Sequence, residues 1–184
     1  MKRDEKRHVM VLGVGNILFT DEGVGIHVVK AMMERYEFGS NVSLEDGGVL
    51  GMNLLGVISE ADDLIVVDAI KDGNMPGTLY RLQGEEIPKR VFKKNSLHQV
   101  DLLEALTLCQ ALDKTPETVI VGVEPKDIET LGLELTPPVR EKVDALILMV
   151  LGELDRLGTE YRPRGLSYQD RLDRSYGQSG GLQD

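Results

Sequence analysis

The sequence predicts an α/β fold: an α/β/α sandwich of three layers in which a twisted, mostly parallel sheet of about five strands lies between helices. Three observations lead there. Short apolar runs such as Val9–Val14 and Thr118–Val123 alternate with longer stretches of helical spacing, the pattern of crossover units in a parallel sheet. The run Leu64, Ile65, Val66, Val67 is continuously apolar, as in a strand covered on both faces. The 184 residues are 41% hydrophobic, enough chain and enough apolar surface for one core.

Each element has its own signal. Val9–Val14 reads as a buried strand, followed by a loop from Gly15 to Asp21. Val24, Val28, Ala31, Met32 and Tyr36 then fall on one helical face, with Thr20 or Asp21 placed to cap that helix. Val42–Asp46 is the second strand, ended by Gly47 and Gly48. Leu50–Ile58 reads as a short helix and Leu64–Asp68 as the third strand. Met75-Pro76-Gly77 is a turn before a strand at Thr78–Gln83. Ser96–Gln99 matches the Ser-x-x-Gln capping box. Its helix is expected to run to Leu112, with Val100, Leu103, Leu106 and Ala111 toward the core. Thr118–Val123 is rich in β-branched residues and reads as a strand. Pro137 and Pro138 suit the opening of a last helix that reaches Leu157. Residues 1–157 thus form one domain. From Gly158 apolar anchors become sparse, and 158–184 is expected to be a flexible tail.

Composition excludes several function classes. The chain has 31 acidic and 21 basic side chains and a formal charge of −10. That leaves no basic footprint for nucleic acid and disfavours an anionic membrane surface. It suits a cationic or metal-bearing partner. Val9–Phe19 is interrupted by Gly13, Gly15 and Asn16, so it is too short for a membrane helix and lacks a signal-peptide pattern. A cytoplasmic protein is expected. Cys109 is the single cysteine, so neither an internal disulfide nor a thiolate metal cluster can form. It reads as a small buried apolar side chain.

In open parallel sheets, ligands bind beyond the carboxyl ends of the strands. The Gly15–Glu22 loop, Asp46 and Asp68 all fall at that end. Glu22 has a plain explanation, since an acid at a helix start is favoured by roughly 0.3–1 kcal/mol. Asp68 is harder to dismiss, because a carboxylate closing so apolar a strand needs a partner or a cation. His98 alone would be a solvated helix-start residue; His8 and His27 stay unassigned. As a trio, Glu22, Asp68 and His98 make a receptor for a divalent metal: two carboxylates that favour a cation and one nitrogen donor, with coordination positions left open. No His-Glu-x-x-His helix and no Gly-x-Ser-x-Gly elbow is present. Gly13-Val14-Gly15 is part of a dinucleotide fingerprint, but Leu18 stands where the third glycine belongs. Asp21 and Glu22 also stand where a pyrophosphate needs positive potential. A nucleotide-binding α/β enzyme is therefore the weaker reading of that turn.

The segments Gly13-Val14-Gly15-Asn16-Ile17-Leu18 and Thr20-Asp21-Glu22-Gly23-Val24-Gly25 closely resemble the opening of the hydrogenase maturation endopeptidases. The likeness continues at Asp46-Gly47-Gly48, Val67-Asp68-Ala69, Pro76-Gly77-Thr78 and Ser96-Leu97-His98-Gln99. It extends through Val121-Gly122-Val123-Glu124-Pro125 and Leu133-Glu134-Leu135-Thr136-Pro137. The resemblance implies a nickel-dependent, aspartyl-type endopeptidase that matures another enzyme. It would remove the C-terminal extension of a [NiFe]-hydrogenase large-subunit precursor already loaded with nickel. It implies a monomer, and a metal carried by the substrate that other divalent ions can replace. The family's nickel-contacting glutamate, aspartate and histidine fall on Glu22, Asp68 and His98. Asp46, beside two glycines, would position water or the scissile peptide. The competing expectation is a maturation scaffold that binds nickel through the same trio and cuts nothing.

Overall fold

Six consecutive buried residues make β1 (Val9–Val14) an inner strand. The computed structural model describes residues 6–48, 54–87 and 97–165. After β1 come α1 (Val24–Arg35), β2 (Tyr36–Phe38), β3 (Val42–Gly48), α2 (Leu54–Ile58), β4 (Asp63–Ala69) and β5 (Leu79–Gln83). They are followed by α3 (Leu97–Ala111), β6 (Glu117–Val123), α4 (Pro137–Arg140), α5 (Val143–Arg156) and β7 (Tyr161–Pro163). The central sheet has five strands in the order β3-β1-β4-β6-β5. Its first four strands are parallel, and β5 joins antiparallel at the edge. Helices cover both faces, so the three-layer expectation holds.

Strand alternation divides the core. Val9, Val11, Ile65, Val67, Val121 and Val123 pack against Val24, Val28 and Met32 of α1 and Leu146, Val150 and Leu154 of α5. Met10, Leu12, Leu64, Val66 and Ile120 pack against Ile58 of α2 and Leu102, Ala105 and Cys109 of α3. Burial pushes the Cys109 thiol pKa up, so the residue is the inert apolar side chain the sequence suggests.

The connections set the site. From β1 the chain passes through α1 to β3 on one side, then through α2 to β4 on the other side of β1. Strand order reverses between β1 and β4, and in open α/β sheets ligands bind beyond the carboxyl ends of strands at such a point. Glycines let α1 press against that point. A Cβ on Gly25 would lie 2.1 Å from the Val67 carbonyl oxygen and 2.5 Å from that of Val14. One on Gly13 would lie 2.5 Å from the Gly25 carbonyl oxygen. Gly25→Ala forces backbone from backbone and should cost about 3 kcal/mol. Chemical denaturation checks this, and a loss below about 0.5 kcal/mol, typical of a harmless surface change, would contradict the packing.

Several expectations need correction. Neither Thr20 nor Asp21 caps α1: a 3-10 turn, Thr20–Gly23, intervenes, and Gly23 takes the cap position without a side-chain bond. Tyr36 is not on the helix but opens β2. The last helix is broken, because the Lys142 amide donates to Val139 O while Val139 is buried, and the tightened turn separates α4 from α5. Among the described side chains of α3, Leu102, Ala105 and Cys109 are buried, Leu106 packs part-buried on the same core as expected, and Ala111 is exposed, while the side chains of Val100 and Leu103 lie outside what is described. The domain also continues past Leu157. β7 pairs antiparallel with β2, and the rings of Tyr36, Phe38 and Tyr161 lie 6.0–6.3 Å apart. Arg164 Nε donates to the carbonyls of Met33 and Tyr36, both at 3.0 Å. These late anchors are aromatic and cationic, which a count of aliphatic residues overlooks. Residues 166–184 of the expected tail, Leu50–Asn53 of the second expected helix and Ser96 of the capping box lie outside the described residues. No described helix is long and apolar enough to cross a membrane.

Candidate active site

Glu22 is mounted on the end of β1 through its backbone. Gly15 has φ +129°, and a Cβ there would sit 1.8 Å from the Glu22 carbonyl oxygen. Only glycine permits both the conformation and the approach. Glu22 is half-buried. Three residues on, Gly25 rests against the carbonyl of Val67, the residue before Asp68. The two acids therefore stand at the ends of neighbouring strands.

Asp68 is the penultimate residue of β4 and only 6% exposed. Val67 and Ala69 belong to the core under α1 and α5, while Val66 and Ile70 belong to the core under α2 and α3. Alternation thus puts Asp68 on the α2/α3 face. Its Oδ1 accepts the Ala69 amide at 2.8 Å. Its register partner on β6 is Gly122.

His98 is the second residue of α3. This helix precedes β6 and runs antiparallel to it, on the face of Asp68. Its 15 residues span about 22 Å at roughly 1.5 Å each. The 7 residues of β6 span nearly the same length at about 3.3 Å each. A helix of that length running back along β6 would bring its first turn toward the carboxyl end of the strand. The His98 side chain lies outside what is described. Among the described side chains, no three His, Cys, Asp or Glu groups gather closely enough to hold a metal ion.

Asp46 stands near the carboxyl end of β3 but on the other face. It pairs in register with Gly13, which pairs with Val67, so Asp46 shares the side of Val67 rather than that of Asp68. Lys30 Nζ lies 3.3 Å from its Oδ2, and its Oδ1 accepts the Gly48 amide at 3.1 Å. That second bond braces Gly48 at φ +44°.

Two buried acids that the sequence reading did not single out build the walls. Asp21 is 0% exposed. Its Oδ2 accepts the amides of Lys126 and Asp127 at 2.9 and 3.0 Å and the Thr136 hydroxyl at 2.8 Å. Its Oδ1 accepts the Thr136 amide at 2.7 Å. Thr20 Oγ1 donates to Asp127 O at 2.5 Å. The strap after β6 is thereby tied to the residue that precedes Glu22. Glu124, just past β6, accepts the amides of Asp72 and Gly73 at 2.8 and 3.0 Å and the Tyr80 hydroxyl. Burial, reinforced by the Glu124 carboxylate, pushes the Tyr80 phenol pKa up to about 12, so Tyr80 remains a donor. Glu124 so fixes the loop after β4. A signal for it existed, since it closes an apolar strand as Asp68 does. Asp21 gave only the signal of a helix cap.

A family model described as hydrogenase maturation protease matches residues 26–153. The chain belongs to the hydrogenase maturation protease family. It is a hydrolase of the protease class. The match includes Asp46, Asp68 and His98 and begins four residues after Glu22. The protease is 39% identical over 158 residues to the hydrogenase 2 maturation protease of Escherichia coli, covering 85% of this chain and 96% of that one. It is 37% identical over 158 residues to the hydrogenase expression/formation protein HupD of Thiocapsa roseopersicina, covering 85% of this chain and 72% of the other. The solved structure of the E. coli hydrogenase maturating endopeptidase HybD superposes with a TM-score of 0.81 at 39% identity, covering 85% of this chain and 98% of that one.

Proposed function

We propose that this protease removes the C-terminal extension of a [NiFe]-hydrogenase large-subunit precursor already loaded with nickel, and that Glu22, Asp68 and His98 recognise the metal. The observation that carries the reading is the placement of Glu22 and Asp68 at the ends of neighbouring strands, where strand order reverses. His98 in the first turn of α3, the helix that packs on Asp68's face of the sheet, supports it. The relative in E. coli is named as a hydrogenase 2 maturation protease, which supports a hydrogenase precursor as substrate.

Nickel enters with the substrate. Two carboxylate oxygens and an imidazole nitrogen complete its coordination and anchor the precursor, and another divalent ion such as cadmium can take its place. The anchored metal can also act as a Lewis acid toward a carbonyl or a water. Asp46 positions the scissile peptide through the Gly47–Gly48 turn it braces, where the absence of side chains lets substrate backbone approach. All the proposed ligands come from one chain, so no second subunit is needed.

The test is a processing assay on nickel-loaded and nickel-free precursor, read by mass spectrometry. The C-terminal peptide should be released only from the loaded form. Efficient cutting of the nickel-free form would overturn metal recognition. Binding of the loaded form without any change in its mass would instead make the chain a maturation scaffold.

A further inference from the structure

Exposed leucines scattered singly on helices, such as Leu148 on α5, need no explanation. Leu18, Leu131 and Leu133 are different, because they are grouped on two segments joined by backbone. Phe19 bridges Leu131 and Gly132, and the Gly132 amide donates to Leu18 O at 2.9 Å. The three leucines are 55%, 74% and 60% exposed. A Cβ on Gly132 would lie 3.2 Å from Thr20 Cγ2, so the two segments are pressed together. Asp21 then ties the same strap back beside Glu22.

We propose that Leu18, Leu131 and Leu133 form an apolar ledge that docks an extended, apolar stretch of the substrate polypeptide next to the bond to be cut. This rests on the reading of the chain as a precursor-processing protease. Continuity supplies the first reason: Leu18 stands four positions before Glu22, with three residues between, so the ledge adjoins the site. Area supplies the second. Three leucines exposed to this degree offer on the order of 300 Å², well short of the roughly 800 Å² per partner of a stable protein pair. The ledge fits a strand of substrate rather than a second copy. Rigidity supplies the third: the strap is held before any substrate arrives, so little ordering is lost on binding.

The test uses the nickel-loaded precursor with wild type, the double variant Leu131→Ser/Leu133→Ser, the apolar control Leu131→Met/Leu133→Met, and Leu148→Ser. Affinity is read by direct binding, and cleavage is read separately. The serine pair should weaken Kd at least about tenfold, as removal of an interface anchor does, at an unchanged melting temperature. The methionine pair and Leu148→Ser should bind as wild type. Equal affinity of wild type and the serine pair, or binding by neither, overturns the ledge. So does a concentration-dependent wild-type dimer that the serine pair abolishes. Wild type that binds through the ledge but does not cut would overturn the protease reading of the site while leaving the ledge standing.

Discussion

Asp68→Asn should stop conversion of nickel-loaded precursor, with a fall of at least about 100-fold, the upper end of what is lost when a group that merely supports a metal ligand is removed. The fold should survive intact. Asparagine has the shape of aspartate, and its carbonyl oxygen can still accept the Ala69 amide that Oδ1 holds at 2.8 Å. What disappears is the negative charge and one oxygen donor toward a divalent ion. The side chain keeps its volume at a site only 6% exposed, so no cavity opens. The melting temperature should therefore stay near that of wild type. His98→Ala should behave alike in processing. Mass spectrometry of the precursor with a parallel thermal melt separates the effects. Normal conversion by either variant would remove its residue from the site, and a large drop in melting temperature with Asp68→Asn would make Asp68 a structural acid.

The sheet was legible because its strands are short, apolar and separated by crossover helices. β1, β4 and β6 follow directly from Val9–Val14, Leu64–Asp68 and Thr118–Val123. The ends of those strands were legible for the same reason, which is how Asp68 could be picked from the chain. Side-chain direction was not. Asp46 and Asp68 both close strands, yet the register Asp46–Gly13–Val67 puts them on opposite faces, and register depends on pairing that no single strand contains. Tyr161 and Arg164 were missed because they dock on β2, more than a hundred residues earlier. Asp21 was misread for a related reason. Its partners Lys126, Asp127 and Thr136 are over a hundred residues away, whereas the capping role suggested by its position needs only its neighbours.

Asp21→Ala should be the most destabilising change near the site, costing about 4 kcal/mol. The carboxylate takes bonds from four donors: the amides of Lys126, Asp127 and Thr136 and the Thr136 hydroxyl. A buried donor left without an acceptor costs about 1–3 kcal/mol. Relief from burying the charge offsets part of that sum, as happens whenever a buried charged group is deleted. Asp21→Asn should fall between, since one oxygen still accepts but the amide nitrogen would face N–H groups. Urea denaturation measures the loss. Limited proteolysis should show cuts within 126–136 that wild type resists, because the strap loses its tie to the 3-10 turn. Processing should fall with it, since Glu22 follows Asp21 and the ledge leucines ride on the released strap. This is the reverse of Asp68→Asn, where activity goes and stability remains. Should Asp21→Ala unfold at the wild-type urea midpoint, the strap would have to be held by something other than this carboxylate.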